Sequence, residues 1–231
     1  MAAFIVECEL LSRYQRNPHV SMLRILIADD HEVVRSGLRR IIEDHPGWEI
    51  VGEAADGKEA VRLAVDTKAD VAVLDYALPI LNGIEATRQI RARSSNTEVL
   101  IFTMHDNDAL IGDLLHAGAR GYVLKSDANQ ELLDAIEAVG SHKPFFTAKV
   151  SERLLEPFRR GRSGEISPLT SRERSVLQLI AEGHTNKQIA TILNISLKTV
   201  ESHRAAMMRK LNLSSSAALV RYAIRNKIVE P

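Results

Sequence analysis

The sequence predicts an α/β protein in which a five-stranded doubly wound parallel sheet precedes a small all-α domain of four helices. Two observations carry this prediction. Between Arg24 and Val139, short apolar runs alternate five times with segments of helical period, which is typical of a parallel sheet with helices on both faces. From Ile166 onward the apolar period is helical throughout, which is typical of a helix bundle.

Most of the five predicted strands are apolar at consecutive positions, as expected for strands that are covered on both faces. They span residues 25–28, 50–54, 71–74, 99–102 and 122–124. Helices are predicted after them over 32–43, 58–67, 84–93, 109–117 and 130–139. In the first helix, Val34, Leu38 and Ile42 recur at helical spacing and indicate the face that packs on the sheet.

The four helices of the second domain are predicted over 171–182, 186–193, 197–211 and 215–227. Thr170 with Glu173, and Thr185 with Gln188, match the S/T-x-x-E/Q capping box that begins many helices. Further candidate caps are Gly183 after the first helix, and Ser196 and Ser214 before the last two.

These patterns divide the chain into four segments. Residues 22–140 and 166–231 are the two predicted domains, and residues 1–21 have no sustained period, which predicts a disordered leader or a start placed too early. Residues 141–165 are predicted to be a linker, with a possible amphipathic helix over 147–159 and a flexible glycine- and charge-rich stretch over 160–165.

The charge of the chain is zero overall but is unevenly distributed. Residues 1–148 hold 15 Lys and Arg against 23 Asp and Glu, whereas residues 149–231 hold 15 against 7. A basic half is suited to a phosphodiester partner. The single cysteine, Cys8, excludes an internal disulfide and fits a cytoplasmic protein. No apolar run approaches the length of a membrane span, so no membrane partner is expected.

Polar side chains stand at the ends of four predicted strands. They are Asp29 and Asp30, Asp75, Thr103, and Lys125. The carboxyl ends of parallel strands share one edge of a sheet, where ligands bind in this architecture. Three carboxylates gathered there would repel one another unless a hard cation such as Mg²⁺ held them. A lysine and a hydroxyl opposite them suit a phosphoryl group.

This first segment resembles the CheY-like receiver domain of two-component response regulators, a flavodoxin-like fold. The resemblance covers about 23–139 and rests on IADDH (27–31), VLDYALP (73–79), FT (102–103) and GYVLK (121–125). It implies that Asp75 accepts a phosphoryl group from the phosphohistidine of a sensor histidine kinase. It also implies Mg²⁺ ligation by Asp30, Asp75 and the Ala77 carbonyl, with Asp29 acting through water.

The same resemblance assigns three further roles at this edge. Thr103 would close on a phosphoryl oxygen, Lys125 would pair with it, and Tyr122 would be the aromatic side chain whose rotamer follows Thr103. The segment 106–119 is expected to belong to the two-state element that the added charge biases. Ala77 carries no polar side chain to position a hydrolytic water, which leaves the lifetime of the phosphoryl group open.

The second segment resembles the LuxR-type (NarL/FixJ) helix-turn-helix domain. The resemblance covers about 169–229 and rests on LTSRE (169–173), NKQIA (186–190) and TVESHR (199–204). Two helices joined by the break at 194–196 have the spacing that places the second helix in a DNA major groove. On that helix Val200, Met207 and Leu211 form the stripe that packs inward.

The opposite stripe predicts the contacts with double-stranded DNA. Lys198, Glu201, Ser202 and Ala205 would face base edges, and the resemblance also places base readers at the last three. Lys187, Thr199, Arg204, Arg209 and Lys210 are candidates for phosphate contacts. Residues 166–231 hold 10 basic and 4 acidic side chains, so a homodimer on paired half-sites is the expected route to useful affinity.

The sequence therefore predicts a transcription factor that is switched by phosphorylation of Asp75 and is not an enzyme beyond transfer onto that residue. Whether phosphorylation frees the helix-turn-helix, promotes dimerisation or does both is open. A phosphatase or phosphotransferase with an aspartyl-phosphate would want a second acid at position 77, which is alanine. A flavodoxin-like cofactor binder would want glycine and hydroxyls where Asp29 and Asp30 stand. A module regulated without phosphate would not need the acidic set.

Overall fold

The computed structural model describes residues 22–104, 108–148, 150–152, 169–226 and 228–229, and the side chains of these residues except those of 108–110, 128–130 and 171. The strands of the first domain are β1 Leu23–Ala28, β2 Trp48–Ala54, β3 Val71–Leu74, β4 Glu98–Thr103, β5 Gly121–Leu124 and β6 Phe145–Phe146. Its helices are α1 Glu32–Glu43, α2 Gly57–Thr67, α3 Gly83–Arg93, α4 Asp108–Ala117 and α5 Ala128–Gly140. A 3₁₀ turn, Lys125–Asp127, follows β5.

The strands form one parallel sheet in the order β2-β1-β3-β4-β5-β6. The doubly wound parallel sheet and its five predicted strands are confirmed. The sixth strand lies in the segment that the sequence predicts as linker. Phe145 packs against one face of the sheet and Phe146 against the other, which is the two-residue period of an extended chain. Of the predicted helix over 147–159, residues 148 and 150–152 are helical; residues 149 and 153–168 lie outside the described part of the chain.

Two apolar clusters cover the sheet, one on each face. Along β1, Ile25 and Ile27 belong to one cluster, whereas Leu26 and Ala28 belong to the other. Because successive side chains of a strand point to opposite faces, both faces must be apolar for both clusters to form. This is why the central strands are apolar at consecutive positions. Each large side chain buried in this way contributes about 1.5–3 kcal/mol.

The second domain consists of α6 Ser171–Ala181, α7 Asn186–Leu193, α8 Leu197–Lys210 and α9 Ser216–Arg225. Both capping boxes form, and the Ser196 side chain accepts a hydrogen bond from the Thr199 amide. The last helix begins one residue later than predicted. Ser215, not Ser214, is its N-cap, with its side chain accepting from the Ala218 amide. Gly183 has φ +87°, the left-handed conformation expected after a helix.

The second domain contacts the first through α6 and the loop that links β3 to α3. Leu81 of that loop is 3% exposed and packs in the apolar cluster of the helical domain. The Gln178 side chain donates a 2.8 Å hydrogen bond to the Leu78 carbonyl. Arg172 and Arg174 extend the contact to Glu85 at 3.5 Å and Asp113 at 3.0 Å. The loop that begins at Asp75 is thus packed against the second domain.

Candidate phosphoacceptor site and DNA-binding surface

The carboxyl edge of the sheet gathers the side chains that the sequence predicts there. Asp29 follows β1, Asp75 follows β3, Thr103 ends β4 and Lys125 follows β5. These four strands are consecutive neighbours in the sheet. Because they are parallel, their carboxyl ends lie along one edge, and the side chains that follow them converge there.

Lys125 lies between the two buried carboxylates. Its Nζ is 2.5 Å from Asp29 Oδ2 and 2.9 Å from Asp75 Oδ2. The side chains of Asp29 and Asp75 are 1% and 5% exposed, and that of Lys125 is 9% exposed. The other oxygen of Asp75 accepts a 2.6 Å hydrogen bond from the Tyr76 amide. An ammonium that contacts both carboxylates holds the three groups in one buried cluster.

Burial and charge shift the pKa values of this cluster. Burial raises the pKa of the Asp29 carboxyl, because the hydrogen bonds from Lys125 and the His31 amide do not offset the desolvation of its charge. Burial alone would lower the pKa of the Lys125 ammonium, but attraction to Asp75 and Asp29 outweighs it, so this pKa is raised. The Lys125 ammonium therefore stays charged, and the site still has more negative than positive charge.

The donor set fits a hard divalent cation. Asp29 and Asp30 present carboxylate oxygens close to one another, and Asp75 is connected to Asp29 through the Lys125 ammonium that contacts both. The carboxylates of Asp29 and Asp30 and the imidazole of His31 offer ligand atoms within 4.8 Å of one another. Oxygen ligands with excess negative charge are what Mg²⁺ prefers. Receiver domains generally bind Mg²⁺ at such a cluster, and the residues present fit that ion.

The remaining predicted residues of this site lie along or near the same edge. The Asp30 side chain is 35% exposed, and its Oδ1 is 2.8 Å from His31 Nδ1. Thr103 and Tyr122 are 0% and 1% exposed. Ala77 is half-buried two residues after Asp75. Because Thr103 and Tyr122 are buried, a side-chain rearrangement at either position would change how the neighbouring core residues pack.

Sequence reasoning missed three residues that the structure connects to the site. Arg35 donates a 2.7 Å hydrogen bond to the Asp29 carbonyl. Tyr76 forms a side-chain hydrogen bond with Arg174 of α6. The i,i+3 spacing of Glu32 and Arg35 is a weak signal for an ordinary helix-surface ion pair. No local pattern could have indicated the contact between Tyr76 and Arg174, which lie far apart in the chain.

The second helix of the helix-turn-helix, α8, presents the predicted reading face to solvent. Its Val200 and Met207 are buried, and the turn before it begins with Asn194 at φ +52°. Arg172 donates a 2.7 Å hydrogen bond to the Leu193 carbonyl and so ties α6 to the end of α7. Most residues that are predicted to contact DNA are exposed: Lys187, Lys198, Glu201, Ser202, Ala205, Arg209 and Lys210. Thr199 and Arg204 are half-buried.

Two of the predicted phosphate contacts are engaged within the domain. Arg204 donates hydrogen bonds to Asn186 Oδ1, at 3.5 Å, and to the Ser216 hydroxyl. Lys210 Nζ lies 2.7 Å from Glu173 Oε2. Burial alone would raise the pKa of Glu173, but the hydrogen bonds from Lys210 and Thr170 outweigh it, so the pKa is lowered. Glu173 therefore joins the start of α6 to the end of α8.

Glu173→Ala is expected to lower the free energy of unfolding of the second domain by about 1–2 kcal/mol, because it removes half of a capping box and the partner of Lys210. Glu173→Gln keeps the capping acceptor and should lose less. Because the folded-state pKa is lowered, the contribution of the charge is present above the unfolded-state pKa and is lost as the pH falls through the folded-state pKa. Urea unfolding measures both effects. A difference between wild type and Glu173→Gln that persists in acid would contradict the charge pair.

The parallel sheet with an acidic edge, joined to a helix-turn-helix, defines a class of two-domain signalling proteins that act on DNA. Comparison with known families agrees: residues 25–137 match the response regulator receiver domain, and residues 167–223 match the bacterial regulatory proteins of the luxR family. The chain belongs to the two-component response regulators of the NarL/FixJ type, and it is a DNA-binding transcriptional regulator rather than a typical enzyme.

Individual relatives cover most of the chain. The transcriptional regulatory protein LiaR of Bacillus subtilis is 40% identical over 212 residues, which are 90% of this chain and all of LiaR. The oxygen regulatory protein NreC of Staphylococcus epidermidis is 37% identical over 217 residues, 90% of this chain and all of NreC. Both matches extend across the receiver and the DNA-binding domain.

Solved structures show the same architecture. A structure of RcsB from Salmonella typhimurium is 29% identical, with a TM-score of 0.65, and the match covers 90% of this chain and 98% of RcsB. RcsB bound to the promoter rprA in the presence of phosphomimetic BeF₃⁻ matches at 28% identity and a TM-score of 0.63, over 87% of this chain and 97% of that one. A separate observation concerns membranes: none of the helices in the described part of the chain has the length and apolar character of a membrane span.

Proposed function

We propose that this regulator is switched at Asp75, which takes a phosphoryl group from the phosphohistidine of a sensor histidine kinase and thereby controls binding to double-stranded DNA. The contact of Lys125 Nζ with Asp29 and Asp75 carries the proposal. In this buried cluster, Asp75 is the carboxylate proposed as the nucleophile, Asp29 is a second acid, and Lys125 is the cation proposed to pair with the phosphoryl oxygens. Residues 22–140 would act as the receiver unit and residues 166–231 as the DNA-binding unit.

The proposed chemistry is transfer onto the protein's own residue. An Asp75 carboxylate oxygen forms a bond to phosphorus as the bond from phosphorus to the histidine nitrogen breaks, and the electron pair stays on the leaving imidazole. Lys125 keeps its charge and turns from the carboxylate to a phosphoryl oxygen, to which Thr103 donates its hydroxyl. Asp30, Asp75 and the Ala77 carbonyl would hold Mg²⁺, with Asp29 acting through water, and the ion would supply positive charge that neutralises the phosphoryl group.

The DNA-binding part of the proposal rests on the exposed face of α8. Lys198, Glu201, Ser202 and Ala205 are within reach of base edges in a major groove, and the remaining predicted residues would contact phosphates. A solved structure that is 32% identical to this chain shows two RcsB dimers bound to two parallel DNAs. We infer a homodimer for this protein on paired half-sites. A DNA partner and a single cysteine both suit a cytoplasmic location.

The contact between α6 and the β3–α3 loop suggests how the two domains are coupled. Tyr76 follows Asp75 directly and bonds to Arg174, which also pairs with Asp113 of α4. In the same loop Ile80 has φ +67°, a strained conformation for a β-branched residue that persists only when its surroundings hold it. A charge added at Asp75 acts on a loop that α6 already contacts.

The reading face of α8 is exposed while α6 is docked on the receiver. Unmasking of that face is therefore not required, and we infer that phosphorylation acts mainly by repositioning the domain and promoting dimerisation.

DNA binding measured with and without acetyl phosphate tests this, on a genomic fragment recovered by footprinting and on the same fragment cut to one half-site. Phosphorylation should tighten binding to the paired site and leave the single half-site unchanged. Equal tightening on both would support unmasking instead, and no phosphodonor effect would refute the switch.

A further inference from the structure

Arg35 of α1 lies beside the acidic edge without belonging to it. Its side chain is 13% exposed. One guanidinium nitrogen donates a 2.7 Å hydrogen bond to the Asp29 carbonyl, another pairs with Glu32, and Nε lies 3.9 Å from Glu53 Oε2. A single side chain thus connects α1, the end of β2 and the loop that carries both acids.

The carbonyl that Arg35 binds belongs to the peptide bond between Asp29 and Asp30. A peptide unit is planar, so a fixed carbonyl oxygen also fixes the direction in which the chain enters Asp30. Asp29 is anchored by further bonds, since its amide donates to the Ala54 carbonyl at 3.2 Å and its side chain contacts Lys125. Asp30 is the more exposed acid, so its orientation depends more strongly on the peptide that precedes it.

Charge alone does not account for this arrangement. A guanidinium near three carboxylates would reduce their repulsion, but this one is already paired with Glu32 and lies near Glu53. Those two carboxylates offset the positive charge that Arg35 would otherwise contribute at the acidic edge. Its fork-shaped set of donors is better suited to holding several acceptors in a fixed geometry.

We propose that Arg35 is a positioning residue for the divalent-cation site: it holds the Asp29–Asp30 peptide in the orientation in which both carboxylates face the same ion. The inference rests on the proposed Mg²⁺ site. Groups that orient metal ligands typically change metal affinity by about 10–100-fold when they are removed. Loss of Arg35 should therefore weaken Mg²⁺ binding about tenfold, towards the lower end of that range, since it holds a backbone carbonyl rather than a ligand atom.

The same helix provides a matched control. Arg39 lies one turn further along α1 and donates two 2.6 Å hydrogen bonds to Glu53. Arg39→Met removes an arginine from the same helix and a bond to the same glutamate, but it leaves the hydrogen bond to the Asp29 carbonyl in place. Arg35→Met removes the bond to the carbonyl as well.

The test is calorimetric titration of magnesium chloride into the full-length proteins, at low and at high KCl. We expect Arg35→Met to bind Mg²⁺ about tenfold more weakly at both salt concentrations, and Arg39→Met to bind like wild type. A loss that shrinks at high salt would show a charge effect and overturn the positioning role, because salt screens charges and not geometry. Equal losses in the two variants, or wild-type affinity in Arg35→Met, would overturn it too.

Two further outcomes can be distinguished from those above. If wild type binds no Mg²⁺, the proposed metal site itself fails, and the inference about Arg35 fails with it. If Arg35→Met does not fold, Arg35→Lys decides the question. Lysine keeps the charge but lacks the fork needed to hold the Asp29 carbonyl and Glu32 together, so a several-fold loss of affinity is expected. Wild-type affinity in a folded Arg35→Lys protein would contradict the proposal.

Discussion

Asp75→Asn is expected to abolish phosphorylation of the protein by acetyl phosphate in the presence of Mg²⁺. The amide that replaces the carboxylate is a poor nucleophile and carries no charge to hold a cation. Asparagine keeps the size of the side chain and an oxygen that can accept from Lys125, so the pocket should stay folded. Incorporation of label from radioactive acetyl phosphate, with location of the acid-labile phosphate by peptide mapping, measures the effect.

Asp127→Asn is the matched control for this experiment. Asp127 stands two residues after Lys125 and is exposed, with its carboxylate accepting from the Ser126 hydroxyl. Its replacement removes one negative charge near the same edge without touching the buried pocket, so labelling should be retained. Label that persists in Asp75→Asn at another residue would show that the phosphoacceptor is misassigned.

The convergence of the polar side chains at the carboxyl edge could be predicted because these residues follow separate strands of one parallel sheet. Asp29, Asp75 and Lys125 are up to about a hundred residues apart in the chain, yet the strand order alone brings them to one edge. Most of the strands could be found because they are apolar on both faces. Capping residues made the starts of α6, α7 and α8 predictable for the same kind of local reason, whereas α9 begins one residue later than its predicted cap allows.

What could not be predicted depends on contacts between elements that share no local pattern. Leu81 packs in the core of the other domain, and Gln178 donates to the Leu78 carbonyl, a hundred positions earlier in the chain. Lys210 has the sequence context of a phosphate contact, yet its ammonium pairs with Glu173. The helical phase of α8 correctly indicates its exposed side, but it does not reveal which exposed cations already have partners inside the domain.

Glu201→Ala and Ser202→Ala are expected to change the base preference of the protein, whereas Arg209→Ala should weaken binding to every sequence. Glu201 and Ser202 lie on the exposed face of α8, opposite the buried Val200 and Met207. A side chain that bonds to a base edge discriminates against the wrong base by about 1–3 kcal/mol. A phosphate contact carries no sequence information, and its loss should reduce the salt slope by about 1. Arg209 serves here in place of Lys210, because replacing Lys210 would also break its pair with Glu173.

Selection from a randomised half-site library, followed by affinity measurements at several salt concentrations, separates these effects. Glu201→Ala and Ser202→Ala should shift the selected sequence at one or two positions and leave the salt slope unchanged. Arg209→Ala should select the wild-type sequence at a uniformly lower affinity. If all three variants lost affinity equally on every sequence, the exposed face would hold the phosphate backbone alone. The bases would then have to be read by another element. The side of α8 that carries Val200 is buried, so only the opposite side of this helix can enter the groove.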